Sequence, residues 1–373
     1  MSQSTVSQAA AGRVMSLDVM RGLIMILLCA ESCLLYVSLQ HLNPAWPASG
    51  LVEQFFHHPW HGLRFWDLVQ PAFMFMAGAA MYISYSRKLE KGSSWSQNWN
   101  HILIRSLKLF LCGVGLHCVY AGKPVWELWN VLTQLAFTSI LAYLIIQKSQ
   151  VWQLSFSIAL LLLTELMYRL ILMPGFDQPF VRGHNFGSYA DMLLMGKINS
   201  DGWVAINAIP TAAHTIWGVL AGKLLVSGNT VAYKIKTLLL CGLLALLVGF
   251  GLDIMGITPI IKRISTSSFA LASGGWVLLM LALIYWLVDV KKYVKYIWIF
   301  SVMGMNAIFI YLLFETLGMQ WLNNAVGIFS GGLLHTWFGL PLNIAAVISA
   351  LSTLLVEWGL CYWLYKKQIF FKL

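Results

Sequence analysis

The densest group of side chains able to do chemistry lies between His57 and Asp67. The stretch begins with the letters HHPWHG, so it also contains His58 and His61, and it ends at Asp67. Histidine titrates near neutral pH and can act as a general base. A nearby carboxylate can orient the ring and stabilise its charged form. The stretch therefore favours acid–base chemistry with a histidine as base and Asp67 as its partner.

Two other interpretations of this stretch stay open. His57 and His61 are four positions apart, a spacing that a metal site on a helix could use. Pro59 disfavours a regular helix between them, and no zinc motif of histidines and a carboxylate follows, so we predict no metal ligand. The second interpretation is an ordinary loop whose histidines lie at a membrane interface.

Charged and polar side chains inside apolar segments form a second group of candidates. Each charge near the centre of a membrane helix costs about 2.5–3.5 kcal/mol on insertion scales, so each needs a reason. Asp18 and Arg21 are three positions apart on one face of a helix start, and Glu31 follows in the same apolar segment. The pair either caps this helix or serves function. Asn306, also in an apolar segment, either bonds a neighbouring helix or serves function.

The elements that must position these residues are membrane helices. Of the 373 residues, 59% are hydrophobic and 10% are charged, whereas soluble domains carry about 25% charged residues. We predict an all-α, polytopic transmembrane helix bundle that forms one domain over residues 1–373, with a polar N-terminal tail at 1–14. The apolar runs predict about ten spans, near 17–38, 66–86, 101–121, 127–147, 152–173, 205–226, 234–256, 267–289, 295–317 and 343–365.

The distribution of basic residues predicts the orientation of the chain. With ten spans, 17 of the 24 Lys and Arg residues fall on the side of the N-terminus. Basic loops face the cytoplasm, so we expect both termini there. The histidine-containing loop 39–65 and the polar loop 174–204 then face the periplasm or lumen. The net charge of +10 is explained by the cytoplasmic loops, without a nucleic-acid partner.

Several segments, taken in order, resemble one known family. Residues 16–22 match S-x-D-x-x-R-G, residues 57–62 match H-x-x-W-x-G, and residues 67–78 match D-L-x-x-P-x-F-x-F-x-x-G. Further matches lie at 130–134 and 304–311. The ordered set resembles the heparan-α-glucosaminide N-acetyltransferase family of membrane acyltransferases, in particular bacterial members that are associated with N-acetylglucosamine.

This resemblance implies transfer of acetyl from cytoplasmic acetyl-CoA to an amino sugar across the membrane. The active histidine of the family precedes the tryptophan of W-x-G by three positions. That position is His57, and the adjacent His58 stays an alternative; Asp67 completes the catalytic set. The family also has a functional asparagine late in the first span, where this chain has Ser32 beside Glu31. The residues predicted to bind substrate are Asp18, Arg21, Glu31, Ser32 and Asn306.

The resemblance also implies partners and a mechanism. Acetyl-CoA, the acetyl donor, is expected to dock at the basic cytoplasmic face with its pantetheine arm reaching towards His57. The histidine either deprotonates the acceptor amine or is itself acetylated first. The expected partners are an amino sugar or glycan acceptor and the lipid bilayer, and a homodimer is left open. The expected location is the bacterial inner (plasma) membrane. The alternatives are an amino-sugar (N-acetylglucosamine) transporter and an O-acetyltransferase of envelope polysaccharide.

Overall fold

The computed structural model describes residues 14–42 and 49–371, so the predicted polar tail lies outside the described residues except for its last position. The described chain is helical, with isolated β-bridges and no strand. Its N-terminal half contains α1 Met15–Ser32, α2 Leu35–Gln40, α3 Ser49–Glu53, a 3₁₀ turn Phe65–Leu68, α4 Val69–Glu90, α5 Trp95–Ala121, α6 Val131–Leu144 and α7 Gln150–Leu170.

The C-terminal half continues the same helical architecture with more irregular geometry. Two segments of π-helix interrupt the region between residues 314 and 332, which is rich in glycine. The helices are α8 Phe186–Met195, α9 Ala208–Val226, α10 Val231–Ile254, α11 Ser267–Tyr285, α12 Ile297–Met305, α13 Ala307–Leu313, α14 Asn323–Gly327, α15 Leu333–Phe338 and α16 Leu342–Lys366.

Seven helical segments of the described chain are long and apolar enough to cross a bilayer, which makes the chain a multi-pass membrane protein. The three remaining predicted spans correspond to helices that differ from these seven in charge, in length or in straightness. At 17–38, α1 carries three charged side chains within 18 residues. At 127–147, α6 has 14 residues. At 295–317, the segments Ile297–Met305 and Ala307–Phe338 meet at a bend of 72°.

Close contacts between backbones hold α4 against α9 in the middle of the bundle. A Cβ at Gly78 would lie 1.9 Å from the carbonyl oxygen of Thr215, and one at Gly218 would lie 1.9 Å from that of Phe75. Small residues let membrane helices approach in this way. The small residues Gly78 and Gly218 thus serve helix packing, and the contact fixes α4, which lines both cavities described below.

The start of α1 is fixed by the π-helical turn Trp286–Val290, which directly follows α11. The Asp289 carboxylate accepts hydrogen bonds from the backbone N–H groups of Met15 and Ser16, at 3.1 and 2.9 Å. An acidic group is favoured at a helix N-terminus because it satisfies free N–H groups and the helix dipole. Further along, Gly22 packs directly on the backbone of Phe300 in α12. These contacts set the position of α1 beside α12.

Candidate active site

Asp67 organises the loop that carries the histidines. Its side chain is 1% exposed. One carboxylate oxygen, Oδ2, accepts hydrogen bonds from the backbone N–H groups of His58 and Arg64, at 3.2 and 2.9 Å. The other oxygen, Oδ1, lies 3.0 Å from Nδ1 of His57. A proton on Nδ1 donated to Asp67 leaves Nε2 of His57 as the nitrogen available to a substrate.

Lys262 is the third member of this group, and it comes from the loop between α10 and α11. Its Nζ lies 3.0 Å from Nδ1 of His57 and 3.6 Å from Oδ1 of Asp67. Because an ammonium group only donates, it acts on a ring that carries its proton on Nδ1 through its charge and not through a hydrogen bond. The side chain is buried, with 7% exposed. A hydrogen bond from the Gly62 N–H to the Ile260 carbonyl, at 2.8 Å, joins the two loops. The site is therefore a cluster of an imidazole, a carboxylate and an ammonium group.

Burial and charge act on the titration of this cluster. Burial, and then the Lys262 ammonium, lower the pKa of His57 to about 4, while the hydrogen bond to Asp67 acts in the opposite direction. Burial lowers the pKa of Lys262 to about 8, although Asp67 and Glu31 both raise it. The imidazole is thus neutral at physiological pH, as a base or nucleophile must be.

The two neighbouring histidines have other surroundings. The ring of His58 packs against Gly62, where a Cβ would lie 2.6 Å from its Nε2, and Gly62 has a φ of +140° that favours glycine. His61 Nε2 lies 2.6 Å from Oδ1 of Asp253 on α10. Of the three histidines, His57 lines the cavity at this site.

That cavity, called here the histidine cavity, has a volume of about 160 Å³ and is lined by polar and aromatic side chains. Its carboxylates are Glu31 and Glu315, which accept hydrogen bonds from Trp66 Nε1 and the Tyr120 hydroxyl respectively. Its other lining residues are Leu28, His57, Trp66, Val69, Gln70, Phe73, Trp129, Val131, Gln134, Trp203, Lys262 and Tyr311. Such a mixture of aromatic rings and a few converging polar groups is typical of a small-molecule site.

A larger cavity, called here the basic cavity, opens at the opposite ends of the same helices. It has a volume of about 500 Å³, and the basic side chains in its lining are Arg21, Lys88, His101 and Arg105. An adjoining cavity adds Arg87 and Lys91, and also Asp18, which pairs with Arg21 at 4.0 Å. Clustered guanidinium and ammonium groups are suited to phosphate binding.

Among the described residues, Phe73 on α4 is the one that lines both cavities. Along α1, Arg21 belongs to the basic cavity and Glu31 to the histidine cavity, a distance of about 15 Å at the helical rise. On α6, Gln134 lines the histidine cavity and the next residue, Leu135, lines the basic cavity. The two cavities therefore lie one after the other along the helix axes, and Phe73 contributes to the lining of each.

Two predicted substrate-binding residues, Ser32 and Asn306, line none of the cavities described above. The Ser32 hydroxyl is buried and donates to the Phe314 carbonyl at 3.2 Å. The Asn306 side chain donates to the Ile369 carbonyl and accepts from the Phe371 N–H, at 3.1 and 3.0 Å. Phe371 lines the basic cavity, so Asn306 fixes the C-terminal segment beside it. A role in substrate binding stays a prediction for both residues.

Three cavity residues are absent from the site residues predicted from the sequence. Lys262 is one of several basic residues in the loops, and Glu315 is one of several charges in apolar segments. Gln134 lies in the 130–134 match without being singled out. The cost of burying a charge was the available signal for Lys262 and Glu315, but a partner was needed to interpret it.

Comparison with known proteins adds a family-level finding. The family model described as "Heparan-alpha-glucosaminide N-acetyltransferase, catalytic" matches residues 13–252. The match therefore includes α1, His57, Asp67, α4 and Arg105, and it ends before Lys262 and Asn306. No curated protein matches the sequence.

Proposed function

Because the chain belongs to the heparan-α-glucosaminide N-acetyltransferase family, we propose that it moves acetyl from acetyl-CoA on the cytoplasmic side to the amine of a glucosamine-type sugar on the periplasmic or lumenal side. One observation carries the proposal. His57, paired with Asp67, lines a cavity that shares the side chain of Phe73 with a basic cavity at the other end of the same helices.

The proposed arrangement in the membrane has ten spans, both termini in the cytoplasm and a single domain over 1–373. The seven long helices supply most of these spans, and α1, α6 and the bent segment supply the other three. The excess of Lys and Arg on one side supports the orientation. For a bacterial protein, the membrane is the inner (plasma) membrane.

The basic cavity is the proposed dock for the nucleotide end of acetyl-CoA. Phosphates would bind Arg21, Lys88 and Arg105 through charge-assisted hydrogen bonds. The pantetheine arm would follow α1 and α4 past Phe73 to the histidine cavity. Only the acetyl group then needs to leave on the far side, and the CoA returns to the cytoplasm.

In the direct version of the chemistry, Nε2 of His57 removes a proton from the acceptor amine as the amine attacks the thioester carbonyl. The C–N bond forms, the C–S bond breaks, and the proton passes from the imidazole to the CoA sulfur. The Gln134 amide, which lines the cavity and accepts a hydrogen bond from Gln70, is positioned to donate to the oxyanion. In the two-step version, Nε2 attacks first and carries the acetyl group to the amine.

The opposite wall of the histidine cavity is suited to an amino sugar. The carboxylates of Glu31 and Glu315 can attract the cationic amine before it is deprotonated. The rings of Trp129 and Trp203 can pack on the apolar face of a sugar. Glu31 stands beside Ser32, the position at which the resemblance places the family's functional asparagine, so Glu31 would replace that asparagine in binding the amine.

The test is transfer of labelled acetyl from acetyl-CoA to glucosamine by the purified protein. His57→Ala is expected to abolish transfer, whereas His58→Ala, which removes a ring outside the cavity, is expected to retain it. Full turnover in His57→Ala would remove the histidine from the mechanism. Loss in His58→Ala alone would transfer the role to its neighbour.

Two cavities in line along the helices are also what a transporter needs, so an amino-sugar transporter is the second candidate. Proteoliposomes without acetyl-CoA separate the two functions. Uptake of labelled glucosamine or N-acetylglucosamine would favour transport, whereas the proposed enzyme gives no uptake without its donor. For the enzyme, an amide product supports N-acetylation, and an ester product would indicate O-acetylation of a polysaccharide.

A further inference from the structure

Lys262 is a buried cation that the family match does not cover. It lies 205 positions after His57 in the chain, and the matched residues end at 252. Nevertheless its Nζ is held 3.0 Å from the Nδ1 atom of that histidine. Burying an ammonium group is costly unless it is paired, so its place beside the proposed base calls for a physical role.

The loop that carries Lys262 is rigidly built, so the position of the ammonium group is not an accident of a free side chain. The Thr266 hydroxyl accepts a hydrogen bond from the Ile261 N–H at 3.0 Å and caps the start of α11. The Asp253 carboxylate accepts from the Ile260 N–H at 2.9 Å. The ring of Trp203 lies 5.5 Å from Nζ. The lysine is thus directed at the His57–Asp67 pair.

Charged groups from every neighbouring element surround the imidazole of His57. Asp67 on the 3₁₀ turn and Lys262 touch its Nδ1 side. The other charged or titratable groups act from farther away: His58 and Arg64 of the same loop, Arg263 beside Lys262, Glu31 on α1 and Glu315 on the π-helical segment. Asp67 and Lys262 are therefore the two charges in direct contact with the ring, and they are of opposite sign.

We propose that Lys262 is a positioning residue of the proposed acetyltransferase: by neutralising Asp67 beside Nδ1, its ammonium group keeps the His57 imidazole uncharged and therefore able to accept a proton. The inference rests on the proposed function for its catalytic meaning. The charge arrangement itself can be tested without any turnover.

The sign of the effect follows from the contacts. With Lys262 present, the carboxylate and the ammonium cancel, and a proton added to His57 meets a cation 3.0 Å away. Without Lys262, Asp67 stands alone beside the ring and favours the imidazolium. Both ring nitrogens would then carry protons, so Nε2 could no longer act as base. The pKa of His57, which burial and Lys262 together lower, would rise in a Lys262→Met variant.

The first experiment measures the protonation of His57 directly. Diethylpyrocarbonate reacts with neutral imidazole, and mass spectrometry of the modified peptide distinguishes His57 from His58. In Lys262→Met, the midpoint of the His57 reaction is expected to move up by about one to three pH units. A shift of two units makes the reaction about tenfold slower at pH 5 and leaves it unchanged at pH 8.

Two further variants separate charge from structure. Lys262→Arg keeps a cation at the site and is expected to keep the low midpoint of the wild type. Lys123→Met removes an exposed lysine from the same predicted side of the membrane and is expected to change nothing. A His57 profile in Lys262→Met that superimposes on that of the wild type would overturn the inference, as would an equal shift in Lys262→Arg.

The second experiment measures the pH dependence of kcat/KM for acetyl transfer. The acid limb of the Lys262→Met profile is expected to move up by the same amount as the chemical midpoint, while rates above pH 8 change little. An acid limb that stays in place would contradict the role in catalysis. If His57→Ala retains transfer, the role of His57 in the proposed function fails, and the labelling result still decides whether Lys262 keeps His57 neutral.

Discussion

Replacing Asp67 by Asn changes which nitrogen of His57 carries the proton. Two backbone N–H groups point at Oδ2, from His58 and Arg64, so the amide oxygen of Asn must occupy that place. The amide NH₂ then takes the place of Oδ1, facing Nδ1 of His57. Because that group donates, Nδ1 must accept, and the proton moves to Nε2. The variant thus holds His57 in the tautomer whose Nε2 already carries a proton and cannot accept one from the substrate.

The expected loss follows from comparable chemistry. In a serine-protease triad, the same change of carboxylate to amide lowers kcat about 10⁴-fold through the wrong tautomer. We expect a loss of about 10³–10⁴-fold here, which corresponds to about 4–5.5 kcal/mol of transition-state stabilisation. The variant also leaves buried Lys262 without its carboxylate, 3.6 Å away, so a stability loss of about 1.5–3 kcal/mol is expected as well.

The assay is steady-state acetyl transfer at pH 7.5 with kcat and KM determined separately. The KM for acetyl-CoA is expected to stay within about twofold, because the basic cavity lies at the other end of the same helices. Thermal melting of the purified variant measures the stability loss independently. A kcat within about tenfold of the wild type, in a folded variant, would refute the tautomer argument.

Three other changes test separate parts of the proposed passage. Arg105→Ala removes a guanidinium from the basic cavity, so the KM for acetyl-CoA should rise about 10–100-fold, measured by initial rates. Phe73→Ala opens the contact between the cavities, so thioester hydrolysis without acceptor should rise, measured by free thiol release. Gly78→Val places a side chain against the Thr215 carbonyl of α9, so thermal stability should fall, measured by melting.

Each of these changes has a matched control in the same region. Lys108→Ala removes an exposed cation from the same helix as Arg105, Phe137→Ala removes an exposed ring, and Gly115→Ala adds a methyl where no atom lies within 4 Å. The controls should leave the donor KM, the hydrolysis rate and the melting temperature respectively unchanged. If a control matches its test variant, the corresponding feature of the proposed passage has no specific role.

The sequence predicted the parts of the site that are local in the chain. His57 and Asp67 lie within one short stretch, so residue type and spacing were enough to bring them together as candidates. Helices were predictable because apolar runs in a membrane leave the backbone few alternatives. The family resemblance was confirmed over 13–252.

The parts that the sequence did not predict depend on distant segments. Lys262 meets His57 only because two loops, whose residues His57 and Lys262 are 205 positions apart, are joined at Gly62 and Ile260. Glu315 reaches the same cavity from a π-helical segment, whose geometry has no clear sequence pattern. Hydropathy located α1 and α6 but not the 72° bend after Met305. Such features follow from packing between helices, which a single sequence does not encode as a local pattern.

Transfer across a sealed membrane tests the central claim most directly. Protein is reconstituted in one orientation, with labelled acetyl-CoA on the side of the basic cavity and glucosamine only on the side of the histidine cavity. The account predicts labelled N-acetylglucosamine on the acceptor side, CoA retained on the donor side, and no product with His57→Ala. Product that forms only when both substrates share one side would contradict it.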